Sequence, residues 1–501
     1  MRFSSIVAAA VTSSTILLAG CIDNQTGDFK RISYNGWDSI DNLQDKNDYA
    51  WSMKYYQPDG ESEGKLYVGS GNNVLGLVVS QFEAILLGEE ELVPPIYSPE
   101  VRRYRPDEGD RVWERVLDYK DVAEPGDEIF GFRYLQEYRS KATGKKHLYA
   151  ATMGNNAILW RSESGDPGTW ERFWESGENG SIRFVADHNG IMYIALATDI
   201  PFVKKPGEIW ASDGEDVWPV VQDGFGNPEN RGFQFLVSWN GWLYTGSNNP
   251  IQGYEIWKFA GPDSDPQPNE LITDGVPLVT GGGPNDFNVW AATPALFKGH
   301  LYVGSMIPVG FEPETGKGFK GTDIIRIAPD DSWEVVVGPG GLSGYGSGFN
   351  RLWNVYCWQM AEHKGTLYAS TFDLSTIIRF GANQIPESLD SLPEILLAGL
   401  RLVVNGGLQG TDYGFSKQSG DKSELGLPLN DVLQFGADMY KSEDGVHWEP
   451  VTLNGMGHPR NYGFRTMQSV GDTFYLGTAN AFEGLQVWQA DGDKPFAGNA
   501  E

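Results

Sequence analysis

Apolar and polar residues alternate with a period of two in short stretches along most of this chain, and Gly, Asn and Asp separate the stretches. One pattern recurs: a tight polar turn, an apolar–Tyr pair, and then small residues. Because a period of two places alternate side chains on opposite faces of a strand, each copy predicts a β-strand. The copies are GKLYVGS, KHLYAAT, GIMYIAL, GWLYTGS, GHLYVGS, GTLYAST and DTFYLGT.

Further strand-like stretches flank these copies at similar offsets. One lies upstream, as in SIRFVADHNG, GFQFLVSWNG and GFRTMQSVGD, and one downstream, as in GEIWAS, YEIWKF and LQVWQA. A turn and a fourth strand follow, as in SDGEDVWPVV and SEDGVHWEPV. Four antiparallel strands repeated seven times predict an all-β fold, a seven-bladed β-propeller of four-stranded antiparallel blades with two insertions.

The turn from Ser442 to Trp448 resembles the Asp-box of sialidase-type propellers. In such a turn the acidic side chain accepts hydrogen bonds from nearby backbone amides, and the Trp packs between sheets. We therefore expect these turns to be structural.

The repeats place the propeller at residues 49–490, interrupted by one insertion around 77–97 and another at about 373–435. The second insertion contains residues 385–404, whose apolar spacing suits a short amphipathic helix. The last blade ends after its third strand, LQVWQA. The stretch FKRISYNG, within the N-terminal segment 21–48, is predicted to supply that strand and close the ring, and residues 491–501 form a tail.

The N-terminus reads as a targeting segment, with Arg2 followed by an apolar run and Leu-Ala-Gly-Cys at residues 18–21. This resembles the lipobox of bacterial lipoproteins, which implies a signal peptide at 1–20 and lipidation of Cys21. A plain secretory signal is the alternative. The protein is then expected in the bacterial cell envelope, lipid-anchored on the periplasmic or surface side of the outer membrane, or secreted. Cys357, the other cysteine, is expected to be a buried apolar residue.

The net charge of −29 argues against nucleic acid as a partner. An anionic ligand stays compatible with this charge only where basic residues cluster. No His, Cys or carboxylate spacing specifies a metal site, so we predict none and no required cofactor, although an Asp- and Asn-rich loop could bind calcium. We expect a monomer.

In a four-stranded blade, the loops after the second strand and between blades share one face of the ring. These loops are the longer and more varied ones here, and they carry Asn155, Asn156 and Asn248. This face is therefore expected to bind ligands. His458 is the one histidine placed there, since the other five fall in or beside turns of the opposite face, where a solvated role is expected: His147, His188, His300, His363 and His447.

Two between-blade loops, DGFGNPENRGFQFL at 223–236 and NGMGHPRNYGFRTM at 454–467, are near copies that differ at polar positions. His458, Arg460 and Arg465 replace Asn, Glu and Gln. Arg465 begins an innermost strand, and the equivalent positions of other blades are Arg133, Arg183 and Gln234. Because innermost strands line the central channel, the pattern predicts a positive well for carboxylate or sulfate groups. The alternative is that each Arg bridges two blades.

The repeated Leu-Tyr strands, Trp-bearing outer strands and Gly-Phe-Arg inner strands, which span most of residues 49–490, resemble the exported seven-bladed polysaccharide lyases such as ulvan lyases. The resemblance implies β-elimination on an acidic polysaccharide by a His or Tyr base beside an Arg that neutralises a uronate. His458 or Tyr462 would be the base and Arg465 or Arg460 the neutraliser. The family's early-blade His is replaced by Asn155 and Asn156. Substrate contacts would come from Arg460, Arg133, Arg183, Gln234, Asn155, Asn156 and Asn248.

Two other hypotheses stay open. A non-catalytic surface module could bind a glycan or a protein through the same face without any base. A glycoside hydrolase would use paired carboxylates, for which Asp323, Glu255 and Asp199 are available.

Overall fold

The computed structural model describes residues 25–26, 29–37, 47–74, 98–177, 180–197, 205–268, 270–273, 275–306, 320–381 and 434–492. This part of the chain is mostly β-strand. Short α-helices occur at Tyr119–Val122 (α1) and Leu374–Gly381 (α2), with a 3₁₀ turn at Ser347–Asn350. The predictions that lie outside the described residues are the signal peptide, Cys21, the insertion at 77–97, the helix at 385–404, Asp199 and nearly all of the C-terminal tail.

Nearly all strands belong to four-stranded antiparallel units. The chain begins with β1 (Gln25–Thr26) and β2 (Phe29–Arg31), which pair with each other. Unit 1 contains β3 (Asn47–Tyr56), β4 (Lys65–Asn72), β5 (Glu100–Tyr104) and β6 (Trp113–Asp118). Unit 2 contains β7 (Ile129–Arg139), β8 (Lys146–Gly154), β9 (Ile158–Ser162) and β10 (Glu171–Glu175). Unit 3 contains β11 (Ser181–His188), β12 (Ile191–Ala197), β13 (Ile209–Ser212) and β14 (Val217–Val221).

The remaining units repeat this order. Unit 4 contains β15 (Phe233–Trp239), β16 (Trp242–Ser247), β17 (Ile256–Phe259) and β18 (Val276–Val279). Unit 5 contains β19 (Trp290–Phe297), β20 (His300–Met306), β21 (Ile324–Ile327) and β22 (Trp333–Val337). Unit 6 contains β23 (Asn354–His363), β24 (Thr366–Asp373), β25 (Met439–Ser442) and β26 (Glu449–Thr452). Unit 7 contains β27 (Gly463–Val470), β28 (Thr473–Ala479) and β29 (Val487–Asp491).

The units form a closed cycle around one axis. The first strand of each unit contacts the first strand of the next, in the order β3, β7, β11, β15, β19, β23, β27 and back to β3. The N-terminal strand β2 completes unit 7 by pairing antiparallel with β29, with Phe29 opposite Ala490. Trp113 of unit 1 donates its indole N–H to the carbonyl of Ile32 at 2.7 Å, which ties the first unit to the last. The stretch FKRISYNG therefore joins the two ends of the chain.

The repeated Leu-Tyr pair fills the space between consecutive units. Tyr67 of unit 1 packs against Phe132, Leu148 and Trp160 of unit 2, and the equivalent tyrosines of most other units are equally buried. Burying such large side chains removes apolar surface from water, which stabilises the folded state by about 25 cal/mol for each Å² buried. Cys357 is fully buried in the equivalent core between units 5 and 6, as expected for a small apolar residue.

The Asp-box turn of unit 6 holds itself together. The carboxylate of Asp444 accepts hydrogen bonds from the backbone N–H groups of Val446 and His447 at 2.8 and 2.7 Å. Gly445 has a φ of +79°, and a Cβ there would overlap the hydroxyl of Tyr302 in unit 5. The turn thus requires glycine because the preceding unit packs directly against it, which supports the structural role predicted for this turn.

Three histidines of the opposite face, His147, His188 and His363, are buried rather than solvated, contrary to the sequence-based expectation. Two of them, in turns, contact the next unit. The ring nitrogens of His188 in unit 3 lie 2.7 Å from the Ser238 hydroxyl and 2.7 Å from the Ala260 carbonyl, both in unit 4. His363 in unit 6 similarly contacts Ser469 and the carbonyl of Gly492. These turns pack against the neighbouring unit, so the imidazoles serve as ties between units.

His188 should make folding sensitive to acid. Burial lowers the pKa of His188 from its ordinary value of 6.5. In the unfolded chain this histidine takes up a proton as the pH falls through about 6.5, whereas the folded protein resists protonation until a lower pH, so stability is lost as the pH falls. We expect the free energy of unfolding, measured by urea titration, to drop more in the original protein than in His188→Gln between neutral pH and about pH 5. Burial also raises the pKa of the neighbouring Asp187, but both proteins contain Asp187, so its contribution cancels in the comparison. Parallel pH profiles for the two proteins would contradict the assignment.

Candidate functional site

The first strand of every unit slips by one residue against the second strand, at the same place in each unit. A slip of this kind is a β-bulge, which redirects the side chain of the extra residue. All seven redirected residues line a single cavity, and we call them the channel ring. In unit order they are Trp51, Arg133, Arg183, Gln234, Ala292, Trp358 and Arg465.

The cavity lies on the axis of the cycle, because the first strands of all seven units contribute to its wall. It has a volume of about 200 Å³. Beyond the channel ring its wall is mixed. The polar residues include Lys54, Gln136, Thr293, Gln359 and Gln468, and the apolar or aromatic ones include Met53, Tyr134, Leu135, Phe184, Tyr356 and Met467. Among the described residues that line it, none is Asp or Glu. In a protein with a net charge of −29, this gives a locally positive cavity.

Each of the three channel-ring arginines lies over the face of a tryptophan. The guanidinium carbon of Arg133 is 4.9 Å from the Trp51 ring centroid, that of Arg183 is 4.6 Å from Trp290, and that of Arg465 is 5.7 Å from Trp358. Such cation–π contacts hold a guanidinium in a fixed plane.

The arginines also connect units, as the alternative hypothesis had it. Arg133 of unit 2 stacks on Trp51 of unit 1, and its Nη1 lies 3.4 Å from the hydroxyl of Ser181 in unit 3. Arg133 and Arg183 are 8% and 6% exposed. Bridging two units and facing a shared cavity are therefore compatible roles for the same side chain.

Gln234, a neutral member of the channel ring, has a side-chain amide whose hydrogen-bonding atoms are both unpaired among the described residues. It is only 4% exposed. The hydroxyl of Thr466, which also lines the cavity, shares this condition. Buried polar atoms normally have partners, because an unpaired one costs about 1–3 kcal/mol.

Tyr462 lies away from the cavity wall. It is fully buried in an aromatic cluster with Tyr49, Trp358 and Phe482, and its ring centroid is 5.8 Å from that of Tyr49. Burial raises the pKa of the Tyr462 phenol well above its ordinary value. A phenol in this position is poorly placed to remove a proton from a ligand in the channel.

His458 and Arg460 also lie elsewhere. The His458 ring is 5.6 Å from that of Trp488 in β29, and burial together with the charge of Arg31 in β2 lowers the pKa of His458. Arg460 is ion-paired with Glu483 and is exposed. The between-unit loop runs over the outer strands of unit 7 before it enters β27, so only Arg465 reaches the cavity wall. The predicted catalytic set of His458, Tyr462 and Arg465 is thus not assembled in one place.

The three predicted asparagines do not line the cavity either. Asn155 donates to the carbonyl of Gly126 at 2.8 Å and accepts from the backbone N–H of Glu128, and Asn156 donates to Glu175. Asn248 is largely buried beside β16. Asn155 and Asn156 thus hold loops of unit 2 in place.

A different asparagine explains what the near-copied loops share. Asn230 and Asn461 each donate to the carbonyl of the glycine six residues earlier, at 2.9 and 3.1 Å, and Asn288 and Asn354 do the same in two other units. These four asparagines also donate to the acidic or amide side chain just before the third strand of their unit: Glu255, Asp323, Asp438 and Gln486. The sequence interpretation missed this motif, although Asn stands at the same offset in both loops.

The same motif occupies two carboxylates that had been considered for glycoside hydrolysis. Glu255 accepts hydrogen bonds from Asn230 and from the indole N–H of Trp257, at 2.7 and 2.9 Å. Asp323 accepts from Asn288 at 2.8 Å and pairs with the buried ammonium of Lys320. Because both carboxylates are buried and bonded within their units, they brace the fold rather than face a substrate.

Within the described residues, no three His, Cys, Asp or Glu side chains come together in a group that could hold a metal ion. The same part of the chain contains no helix with the length and apolar character that crossing a membrane requires.

Comparison with known proteins gives distant structural likenesses only. The chain matches no protein-family model and no curated protein sequence. Among solved structures it is similar to a luciferin-regenerating enzyme, at 10% identity and a TM-score of 0.37 over 66% of this chain and 85% of that one. It is also similar to the α-L-arabinofuranosidase Arb93A of Fusarium graminearum (12%, TM-score 0.37, 70% and 93%) and to an α-L-arabinanase of Penicillium chrysogenum (13%, 0.36, 70% and 94%). At this distance the likenesses carry no argument about function.

Proposed function

We propose that the chain is a seven-bladed β-propeller, each unit being one blade, that binds an acidic glycan in its central channel without cleaving it. The observation that carries the proposal is the cavity itself. Guanidinium groups from three separate units line it, and no carboxylate does so among its described residues. Guanidinium groups match the geometry of carboxylate and sulfate groups and bind them with charge-assisted hydrogen bonds.

The rest of the cavity wall favours a sugar over a simple inorganic ion. Four glutamines and two threonines supply neutral donors and acceptors for hydroxyl groups, and tryptophan and tyrosine rings supply apolar faces. The signal-like N-terminus leads us to propose further that the protein sits in the cell envelope, anchored through Cys21.

Binding is favoured over elimination because a lyase needs a base within hydrogen-bond reach of the proton that it removes. The residues proposed for that task, His458 and Tyr462, are placed over unit 7 and inside an aromatic cluster. Among the described residues of the cavity wall, none is a histidine, and Lys54 interacts with Glu137 and Gln136. The wall holds two tyrosines: burial raises the pKa of Tyr134, and the buried ring of Tyr356 packs against Trp290 and Trp358. A base for elimination is therefore not apparent beside the arginines.

The test is a binding and turnover experiment on one panel of oligosaccharides. We expect isothermal calorimetry to detect binding of uronate-containing oligosaccharides and no binding of neutral oligosaccharides of equal length, because the guanidinium groups require an anion. We also expect no rise in the ultraviolet absorbance that a newly formed double bond would give, and no new reducing ends.

Each contrary result has a distinct meaning. Equal affinity for the neutral and acidic sugars would remove the anion site from the proposal. A rise in absorbance would support the lyase hypothesis instead, and new reducing ends without absorbance would support hydrolysis.

A further inference from the structure

We infer that the channel ring is a subsite for a single hydroxy-acid ring, such as one terminal uronate residue, and that Gln234 recognises a hydroxyl group of that ring. This rests on the proposed function and names the part of the glycan that enters the channel. The observations behind it are the unpartnered amide of Gln234, the order of residues around the ring and the size of the cavity.

The amide of Gln234 distinguishes between kinds of ligand. Its nitrogen donates hydrogen bonds and its oxygen accepts them, and both atoms are buried without a partner among the described residues. A carboxylate or sulfate can only accept, so it would leave the amide oxygen unpaired. A hydroxyl group can donate and accept, so a sugar hydroxyl, or two neighbouring ones, would satisfy both atoms.

The order of the channel ring places a guanidinium, which can bind an anion, beside the amide of Gln234, which can bind a hydroxyl group. Arg183 in unit 3 precedes Gln234 in unit 4, and Ala292 in unit 5 follows it. A guanidinium next to an amide suits a molecule that carries an anion and a hydroxyl on one ring. Ala292 has the smallest side chain of the seven, and the guanidinium of Arg183 reaches Trp290, two residues before Ala292 in unit 5.

The size of the cavity limits how much of a glycan enters. Its volume of about 200 Å³ is below the roughly 300–1,000 Å³ of pockets that enclose drug-sized ligands. Arg133, Arg183, Trp51 and Trp358, which surround it, are all buried. A partly open cavity of this volume has room for about one sugar ring, so we expect a chain end rather than an internal stretch of polymer to enter it.

The decisive variant is Gln234→Met, which keeps the length of the side chain and removes both polar atoms. We expect it to bind glucuronate about tenfold more weakly than the original protein, and to bind acetate with unchanged affinity. The same variant should be at least as stable as the original protein towards urea, because it removes a buried amide that lacks partners. Gln489→Met, at a half-buried amide on the outer part of unit 7, serves as the matched control and should change neither affinity.

Chain length gives a second measurement. We expect the affinity for a uronate monosaccharide to equal that for longer oligosaccharides within about twofold, because only the terminal ring would be enclosed. If acidic oligosaccharides bind but Gln234→Met has no effect on glucuronate, or if affinity rises steeply with length, the inference is wrong and the proposed function stands. If no acidic sugar binds, both fail.

Discussion

Replacing Asp438 by alanine is expected to lower the free energy of unfolding by about 3–5 kcal/mol, because a buried guanidinium would lose its carboxylate partner and keep only the Gln434 carbonyl among the described residues. The carboxylate of Asp438 is completely buried, and it accepts hydrogen bonds from Arg351 at 2.5 Å and from Asn354 at 2.8 Å. Arg351 is itself buried and comes from the loop that leads into unit 6. The substitution therefore leaves a guanidinium in the interior and also removes one partner of the repeated asparagine motif.

The matched control is Asp110→Ala, which breaks the ion pair with Lys30. In that pair the side chains of Lys30 and Asp110 are 50% and 73% exposed. Exposed pairs contribute about 0–1 kcal/mol, so the control should differ little from the original protein. Urea unfolding followed by tryptophan fluorescence measures both effects. A similar small change in the two variants would mean that Arg351 finds water or another acceptor, and that the buried pair does not hold unit 6 together.

The fold was predictable because its signal is local and repeated. The Leu-Tyr strands have a period of two, and in six of the seven units the tyrosine is buried against the next unit, so similar residues recur from copy to copy. The closing strand was predictable for a related reason, since a ring with an incomplete last unit would leave a sheet edge exposed. The pairing of Phe29 with Ala490 satisfies that need.

The site was predictable only in part. Arg133, Arg183, Gln234 and Arg465 occupy equivalent positions in aligned strands, and the structure brings these four to one cavity wall. The other members of the channel ring escaped notice, because Trp51, Ala292 and Trp358 share no chemistry with them. A β-bulge depends on strand register, and no residue type by itself predicts where a bulge occurs.

The residues assigned to catalysis failed to converge for a geometric reason. His458 and Arg465 are close in sequence. His458, however, lies beside Trp488 in an outer strand of unit 7, whereas Arg465 lies in β27, the innermost strand, which lines the channel. The spacing of two residues in the sequence does not determine the path that the loop between them follows. The buried asparagines are identical in the two loops, whereas the functional prediction rested on the positions at which the loops differ.

The largest expected effect on binding comes from removing the cationic part of the channel ring. The triple variant Arg133→Met, Arg183→Met, Arg465→Met should lose measurable binding of acidic oligosaccharides by calorimetry, under conditions in which the original protein binds. Each hydrogen bond to a charged group contributes about 1.5–3 kcal/mol, and a factor of ten in affinity corresponds to about 1.4 kcal/mol. Each single variant should therefore weaken binding by about tenfold to a hundredfold.

Arg460→Met supplies the control, because Arg460 is exposed, pairs with Glu483 and lies outside the cavity wall. It removes the same positive charge and should leave the affinity unchanged. Each channel variant also loses a cation–π contact of about 0.5–2 kcal/mol, so urea unfolding must show that the variants are folded at the temperature of the binding experiment. If Arg460→Met weakens binding and the folded triple variant does not, the anion is held by the loop over unit 7, and the channel ring has a structural role in which its arginines only join neighbouring units.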